Sequence, residues 1–321
     1  MKSSTFSRFA ILLVFALTAP HGLAQTMRMV VGSAAGAPAD LLARVITDLL
    51  REETGQVWIT ENRPGAGNRV AALVVKESQP DGSVMMLQPG GLLTVVPHTD
   101  RDAKYDAQKD FVAVAFAASL DVGFAVGRKI NVKNMKEFIS WLKEDPGRAI
   151  FATPAYGGIP HLYGLKLGKS IGIPMTNVPY KGGGPDMLRD IIGGHVLMAS
   201  SVLASFVNEH KRGDLRILAT GGDTRSRFVP DVPTFKELGF PDLVSTVWYG
   251  VFAHAATPAP VVNRVNAAIN RGLRQSKYAD RVNAMSMEVT IVSPQVLAKN
   301  MRAEYEYFGT VIQDFGIKPS N

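Results

Sequence analysis

Hydrophobic positions along the chain follow two periods, one typical of buried strands and one typical of amphipathic helices. MRMVVGS at 27–33 is a short apolar run, and the apolar positions between 41 and 50 recur at helical spacing. VWITEN at 57–62 is a second run, and RPGAGNRVAALVVKES at 63–78 is a turn into a second helix. PDGSVMMLQPGG at 80–91 adds a turn, a strand and a glycine loop. This β-α-β-α-β order predicts a parallel sheet with crossover helices.

The same alternation resumes between about 125 and 250, which predicts a second α/β unit. Two long extended stretches, near 115–127 and 244–255, are predicted to be strands that cross between the two lobes. The sequence therefore predicts an α/β protein of two domains, each with a parallel or mixed sheet flanked by helices. We expect domain 1 to comprise 25–125 plus 250–321 and domain 2 to comprise 126–249, with a ligand cleft between them.

The first 24 residues have the three parts of an export signal. Lys2 and Arg8 give a positive start, 9–18 is an apolar run too short to span a bilayer, and Gly22 and Ala24 are small residues before a cleavage point after Ala24. The alternative is a buried N-terminal helix. A signal peptide at 1–24 predicts that the mature protein works in the periplasm.

Composition narrows the chemistry. The chain has no cysteine, which excludes disulfides, thiolate metal sites, a cysteine nucleophile and a lipid-modified cysteine after the signal. The net charge of +7 becomes +5 when Lys2 and Arg8 are subtracted. That mild basic bias suits anionic ligands, but there is no Lys/Arg run, so we expect no nucleic-acid partner.

Two loops share one pattern. GAPADLL at 36–42 and GGPDMLR at 183–189 each place glycine and a small residue before a proline that opens a helix, and each follows a strand in a different lobe. A helix N-terminus exposes unpaired N–H groups and carries partial positive charge, and glycine lets a ligand approach closely. The pair predicts a site that grips an anion from both lobes; the alternative is two ordinary strand-to-helix turns.

Motifs for catalysis or cofactor binding are missing or incomplete. GLKLGKS at 164–170 has three residues between its glycines where a phosphate-binding loop needs four, and GAGNRVA at 65–71 has Val70 in place of the third glycine of a dinucleotide fingerprint. No serine-hydrolase or zinc-protease motif is present, and the six histidines are scattered. His161 either faces the cleft or is an N-terminal helix residue bonded to backbone. We predict no enzyme activity, no catalytic residue, no metal ligand and no cofactor.

Five segments together resemble the receptors of tripartite tricarboxylate transporters, the Bug-type periplasmic binding proteins. The segments are ENRPGAG at 61–67, PDG at 80–82, VPYKGGGP at 178–185, IIGGHV at 191–196 and PDVPTFKELG at 230–239. The resemblance covers essentially the whole mature chain. It implies a two-domain periplasmic-binding-protein fold, of the type II kind, that closes like a flytrap on a small carboxylate. It also implies a large and a small membrane permease subunit as partners, and we expect a monomer.

The resemblance also suggests which residues hold the ligand. The family's P-P-G-G-P-T-D aligns with 34–40, its G-S-S-S-H with 157–161, and its L-M-F-D with 197–200, so that a usual aspartate is Ser200 here. Several polar groups of the family are lost, which favours a dicarboxylate or an aromatic or partly apolar carboxylate over citrate. The predicted ligand-binding residues are Ser33, Ala35, Gly36, Ala37, Asp40, Gly90, Gly91, Thr153, Tyr156, Gly157, Gly158, His161, Tyr180, Gly182, Gly183 and Ser200.

Three points stay open at this stage. A receptor that presents its ligand to a membrane sensor would have the same sequence features as one that feeds a permease. Besides these two kinds of receptor, the third candidate function is an exported enzyme that acts in the same cleft. Asp186 either turns away from the cleft or selects a ligand with a donor group, and Lys181 either points to solvent or contacts the anion.

Overall fold

The computed structural model describes residues 25–154, 156–180, 184–317 and 319. The strands are β1 (Met27–Val31), β2 (Trp58–Asn62), β3 (Val84–Pro89), β4 (Phe111–Gly127), β5 (Ile150–Thr153), β6 (Thr176–Pro179), β7 (Met198–Val202), β8 (Leu215–Thr220) and β9 (Thr246–His254). The helices are α1 (Pro38–Thr54), α2 (Arg69–Lys76), α3 (Gly91–Thr94), α4 (Val96–Thr99), α5 (Met135–Glu144), α6 (Ile159–Ile171), α7 (Gly184–Gly193), α8 (Val207–Arg212), α9 (Ala259–Leu273), α10 (Ser276–Ala284) and α11 (Pro294–Asp314). The predicted signal peptide lies outside the described residues.

The strands form two sheets that share β4. One has the order β2-β1-β3-β9-β4, and the other places β4 between β8 and β7, followed by β5 and β6. Strands β1, β2 and β3 are parallel, as are β5, β6 and β7, while β4 and β9 run antiparallel to their neighbours. We call the first sheet with α1–α4 and α9–α11 lobe 1, and the second with α5–α8 lobe 2. The two predicted α/β units are both present.

The long apolar stretch of β4 carries the chain from one lobe to the other. Its pairing with β9 ends at Asp121 opposite Thr246, and its pairing with β7 begins at Val122 opposite Val202. The expected boundary between 125 and 126 therefore lies a few residues beyond the change of partner, and the division into domains remains a prediction.

The second predicted crossing strand differs from the structure. Among the strands of the described residues, β9 pairs with β3 and β4 alone, so it belongs to lobe 1 along its whole length. The return crossing is made instead by the chain before it, where Gly221 N donates to Val122 O and Ser245 N donates to Gly221 O. A continuous apolar pattern does not distinguish a crossing strand from a strand buried within one sheet.

Helix α11 joins the hydrophobic cores of both lobes. Leu297 and Met301, in its first half, pack in the lobe 1 core with β3 and α3. Phe308 and Ile312, in its second half, pack in the lobe 2 core with α6. The helix consequently adds a third connection beside the two chain crossings. Within the described ranges, no helix is both long and apolar enough to cross a membrane.

Candidate ligand-binding cleft

The ends of the strands define where the two lobes face each other. β4 runs in the same direction as β1 and β3, so their carboxyl ends point toward lobe 2. β5, β6 and β7 run the opposite way, so their carboxyl ends point toward lobe 1. Open α/β sheets bind ligands in the crevice outside the carboxyl ends of their strands. The topology thus directs the loops after β1, β3, β5 and β6 toward one junction.

The loop after β1 is held in shape by Asp40, one of the predicted ligand residues. Its carboxylate is 1% exposed and accepts hydrogen bonds from Gly36 N at 2.8 Å, from Asn62 Nδ2 at 2.9 Å and from the Arg44 guanidinium. Asn62 also donates to Ser33 O. Because both oxygens already have donors, Asp40 positions the loop rather than offering a free acceptor.

The ionisation of Asp40 agrees with that role. Burial alone would raise the pKa of its carboxyl, but the hydrogen bonds from Arg44, Gly36 and Asn62 outweigh burial and hold the pKa below its usual value. The carboxylate therefore stays charged at neutral pH. In the loop between β1 and α1, Ala34, Ala35 and Gly36 are exposed, while Ser33 and Ala37 are half-buried.

The loop after β5 touches the other lobe. Gly157 has a φ of +72°, and a Cβ built on it would lie 2.7 Å from Thr99 Oγ1 of α4. Two residues later, the Ile159 side chain is within 3.7 Å of a Cβ built on Gly91. Only glycine fits this φ and this close approach without strain. The N-terminus of α6, which Gly158 precedes, is therefore seated against lobe 1.

His161 is a buried, neutral imidazole at the start of α6. It is 4% exposed, and its Nδ1 accepts a hydrogen bond from Gly157 N at 2.9 Å. That bond places the ring proton on Nε2, and burial lowers the pKa of His161 to about 4. The Tyr156 ring lies 4.8 Å from the imidazole. The sequence left two possibilities for His161, a residue that faces the cleft or a helix residue bonded to backbone. The structure shows the second, and the Nε2–H group is still able to donate.

A pH-dependent loss of stability follows from the buried His161. The unfolded chain titrates near 6.5 and the folded one near 4, so between these values the unfolded state binds more protons and stability falls as the pH drops. His161→Asn keeps an acceptor for Gly157 N but removes the titration. Urea unfolding at pH 7 and pH 4.5 should show wild type losing about 2 kcal/mol more than the variant. Parallel losses in the two proteins would contradict this assignment.

The loop after β6 is only partly described. Tyr180 N donates to Thr153 O at 2.9 Å, and its hydroxyl donates to Asp190 at 2.8 Å. The predicted residues Gly182 and Gly183, together with Lys181, lie outside the described residues. Asp186 is half-exposed and bonds Arg189 at 2.6 Å along α7. The carboxylate is therefore engaged with a neighbour on its own helix.

The segment after β3 is helical where a glycine loop was expected. Gly91 begins α3, and Gly90 N donates to Trp248 O at 2.8 Å. A Cβ on Gly90 would overlap the Trp248 ring, whose Nε1 donates to Glu304 at 2.7 Å. Gly90 is needed for close packing on Trp248, a core residue. Gly91 lies at the contact between lobes.

Three contributors were missed by sequence reasoning. Asn62 braces the first loop, Thr99 faces Gly157 across the junction, and Asn177 contacts Thr153 with its side chain. Ser200, in the middle of β7, and Thr153, the last residue of β5, are both fully buried. Asn62 lies within the motif ENRPGAG, and this motif was the one feature of the sequence that could have indicated its role. In the part of the chain that the structure describes, no group of three or more histidine, aspartate or glutamate side chains could hold a metal ion.

A family model now identifies the architecture. The model of the tripartite tricarboxylate transporter family receptor matches residues 42–317. This chain belongs to that family. The resemblance noted in the sequence is thereby confirmed, and the family is one of solute receptors.

Solved structures of the family share the two-lobed fold. The periplasmic binding protein BugD is 25% identical, with a TM-score of 0.82 over 92% of this chain and 99% of that chain. MatC of Rhodopseudomonas palustris with bound malate is 28% identical, with a TM-score of 0.80 over 89% and 98%. Rpa4515 of R. palustris with adipate is 27% identical, with a TM-score of 0.86 over 92% and 98%. These neighbours confirm the periplasmic-binding-protein fold of the Bug type.

Proposed function

We propose that this chain is a periplasmic solute receptor that closes its two lobes around a small carboxylate and delivers it to a tripartite tricarboxylate-type permease. The observation that carries the proposal is the close approach of Gly157 to Thr99, which brings the start of α6 against lobe 1. The carboxyl end of β1 points toward lobe 2, that is, toward the same junction. A helix N-terminus favours an anion, and glycine lets the anion come close to backbone N–H groups. The receptor family and its neighbours with malate and adipate support the ligand class.

The chemistry of the loops favours a dicarboxylate or a partly apolar carboxylate. The first loop offers three alanines, at 34, 35 and 37, and its one carboxylate is occupied by Gly36, Arg44 and Asn62. His161 is neutral, so it adds a hydrogen bond but no charge. We infer that the charge of the ligand is balanced by helix N-termini and backbone donors, which suits one carboxylate per lobe better than the three of citrate.

The same proposal has four further parts. The protein is exported by a signal peptide at 1–24 and released as a free protein. It acts as a monomer with a large and a small permease subunit, and it has no enzymatic activity. Loops that hold an anion with backbone groups need neither a nucleophile nor a general base, because a receptor returns its ligand unchanged.

Calorimetric titration of the mature protein tests the ligand class. We expect adipate and malate to bind with micromolar affinity, an aromatic carboxylate to bind measurably, and citrate to bind at least tenfold more weakly than the best dicarboxylate. Mass spectrometry of natively purified protein should detect a retained carboxylate. Failure of every carboxylate to bind, or recovery of a bound carboxylate in altered form, would refute the receptor assignment.

A further inference from the structure

A row of three polar side chains crosses three neighbouring strands of lobe 2, β6, β5 and β7. Phe151 of β5 pairs with Asn177 of β6, and Thr153, two residues further along β5, donates from Oγ1 to Asn177 Oδ1 at 2.8 Å. Ala152 pairs with Ala199 of β7, which places Thr153 beside Ser200 in the next register position. Asn177, Thr153 and Ser200 thus form a continuous line, which we call the polar row.

The polar row faces α6. Ser200 lies directly opposite Phe124, and residues paired in this way point to the same side of a sheet. Phe124 and Phe151 both pack in the core formed with Leu162 and Tyr163 of α6. Thr153 is the last residue of β5, and Ser200 lies level with it in β7. Asn177 lies two positions back, beside Phe151, whose ring centroid is 6.4 Å from that of His161 in the first turn of α6.

Two atoms of the row have no hydrogen-bond partner among the residues that the structure describes. They are Ser200 Oγ, which is fully buried, and the buried Asn177 Nδ2. Native proteins satisfy nearly all buried polar atoms, so each unpaired one needs an explanation. A hydroxyl and an amide nitrogen are both donors. Unpaired donors beside a helix N-terminus form a place for a group that accepts hydrogen bonds.

We propose that Asn177 and Ser200 hold the second carboxylate of the ligand and thereby make the receptor prefer dicarboxylates to monocarboxylates of equal chain length. The inference rests on the proposed receptor function and names the residues that set its selectivity. The first carboxylate lies at the loop after β1, and the second meets Asn177 Nδ2, Ser200 Oγ and the N–H groups at the start of α6. A monocarboxylate leaves these donors unpaired, and a site with unpaired donors discriminates strongly against a ligand that lacks the acceptor.

Adipate and hexanoate provide a matched test, because both have six carbons and only adipate carries a second carboxylate. Calorimetry on wild-type protein should show adipate binding at least tenfold more tightly. Asn177→Ala and Ser200→Ala should each weaken adipate binding tenfold to a hundredfold and change hexanoate binding less than threefold. Thr257→Val is the control, since it removes another buried, unpartnered hydroxyl, at the start of the α9 segment in lobe 1, and should leave both affinities unchanged.

The thermal unfolding of the ligand-free variants separates recognition from a structural role. Ser200 Oγ has no hydrogen-bond partner within the described ranges, so Ser200→Ala should leave the ligand-free Tm unchanged or raised while the shift caused by adipate shrinks. Equal losses for adipate and hexanoate in both variants would overturn the inference. The inference would also be overturned if wild-type protein bound hexanoate as tightly as adipate, but the proposed receptor function would then remain. Wild-type protein that binds neither these nor any other carboxylate would overturn both.

Discussion

Replacing Gly157 by alanine is expected to weaken ligand binding at least thirtyfold while the protein stays folded. The new Cβ would lie 2.7 Å from Thr99 Oγ1 and 2.9 Å from Thr99 Cβ, closer than real Cβ contacts come. Thr99 belongs to lobe 1 and Gly157 to lobe 2, so the overlap acts against the seating of one lobe on the other. If the N-terminus of α6 moves to relieve the overlap, the N–H donors that bind the anion move with it.

Gly172→Ala is the matched control for this variant. Gly172 has a φ of +73°, nearly the same as Gly157, but nothing lies within 4 Å of a Cβ built there. Both substitutions therefore carry the same backbone strain, about 1 kcal/mol, and only one adds an overlap between lobes. Isothermal titration with adipate measures binding, and small-angle scattering with ligand present should show a larger radius of gyration for Gly157→Ala. If the two variants bind alike, the seating of α6 on lobe 1 does not contribute to binding.

The sequence predicted the parts of the cleft that depend on local chemistry. Pro38 was predicted to lie in the first turn of a helix after a glycine loop, and α1 begins there, as proline's fixed φ favours. The second loop of the pattern, 183–189, leads into α7, which begins at Gly184. That these loops hold the ligand stays a prediction. The apolar stretch near 115–127 was predicted to cross between the lobes, and β4, which runs from Phe111 to Gly127, pairs with β9 in one sheet and with β7 and β8 in the other. The family resemblance extended this local reading to the whole fold.

The contacts that sequence reasoning missed depend on register between distant segments. Asn177 reaches Thr153 because β6 lies beside β5 with Phe151 opposite Asn177, which no local pattern fixes. Thr99 faces Gly157 because a short helix follows β3, where glycines predicted a loop. The register of parallel strands follows from packing against a common core, and such information is spread over the chain. Local motifs therefore predicted where the loops begin, and the fold determined what they touch.

Removal of the Asp40 carboxylate is expected to cost both stability and binding. Asp40→Ala leaves Gly36 N and Asn62 Nδ2 without their acceptor and frees the loop between Ser33 and Pro38. The net contribution of a hydrogen bond to a charged group is about 1.5–3 kcal/mol. Two such bonds are lost, but the cost of burying the carboxylate is lost with them, so a total loss of about 2–4 kcal/mol is expected. A loop that is no longer held also loses the arrangement of its N–H groups, and adipate binding should weaken at least tenfold.

Asp48→Ala on the same helix is the control. Asp48 is half-exposed, and its ion-pair partners in the described part of the chain are the exposed Arg51 and Arg281, so its loss should cost less than about 1 kcal/mol. Urea unfolding at several pH values adds a second test of Asp40. Its pKa is lowered in the folded state, so its contribution is fully present above the pKa of the unfolded carboxyl, near 3.8, and is lost as the pH falls through the folded value. The difference in the free energy of unfolding between wild type and Asp40→Ala should therefore decrease only in strong acid. If the two proteins differ by less than about 1 kcal/mol in the free energy of unfolding at pH 7 and bind adipate equally well, the loop after β1 keeps its shape without Asp40.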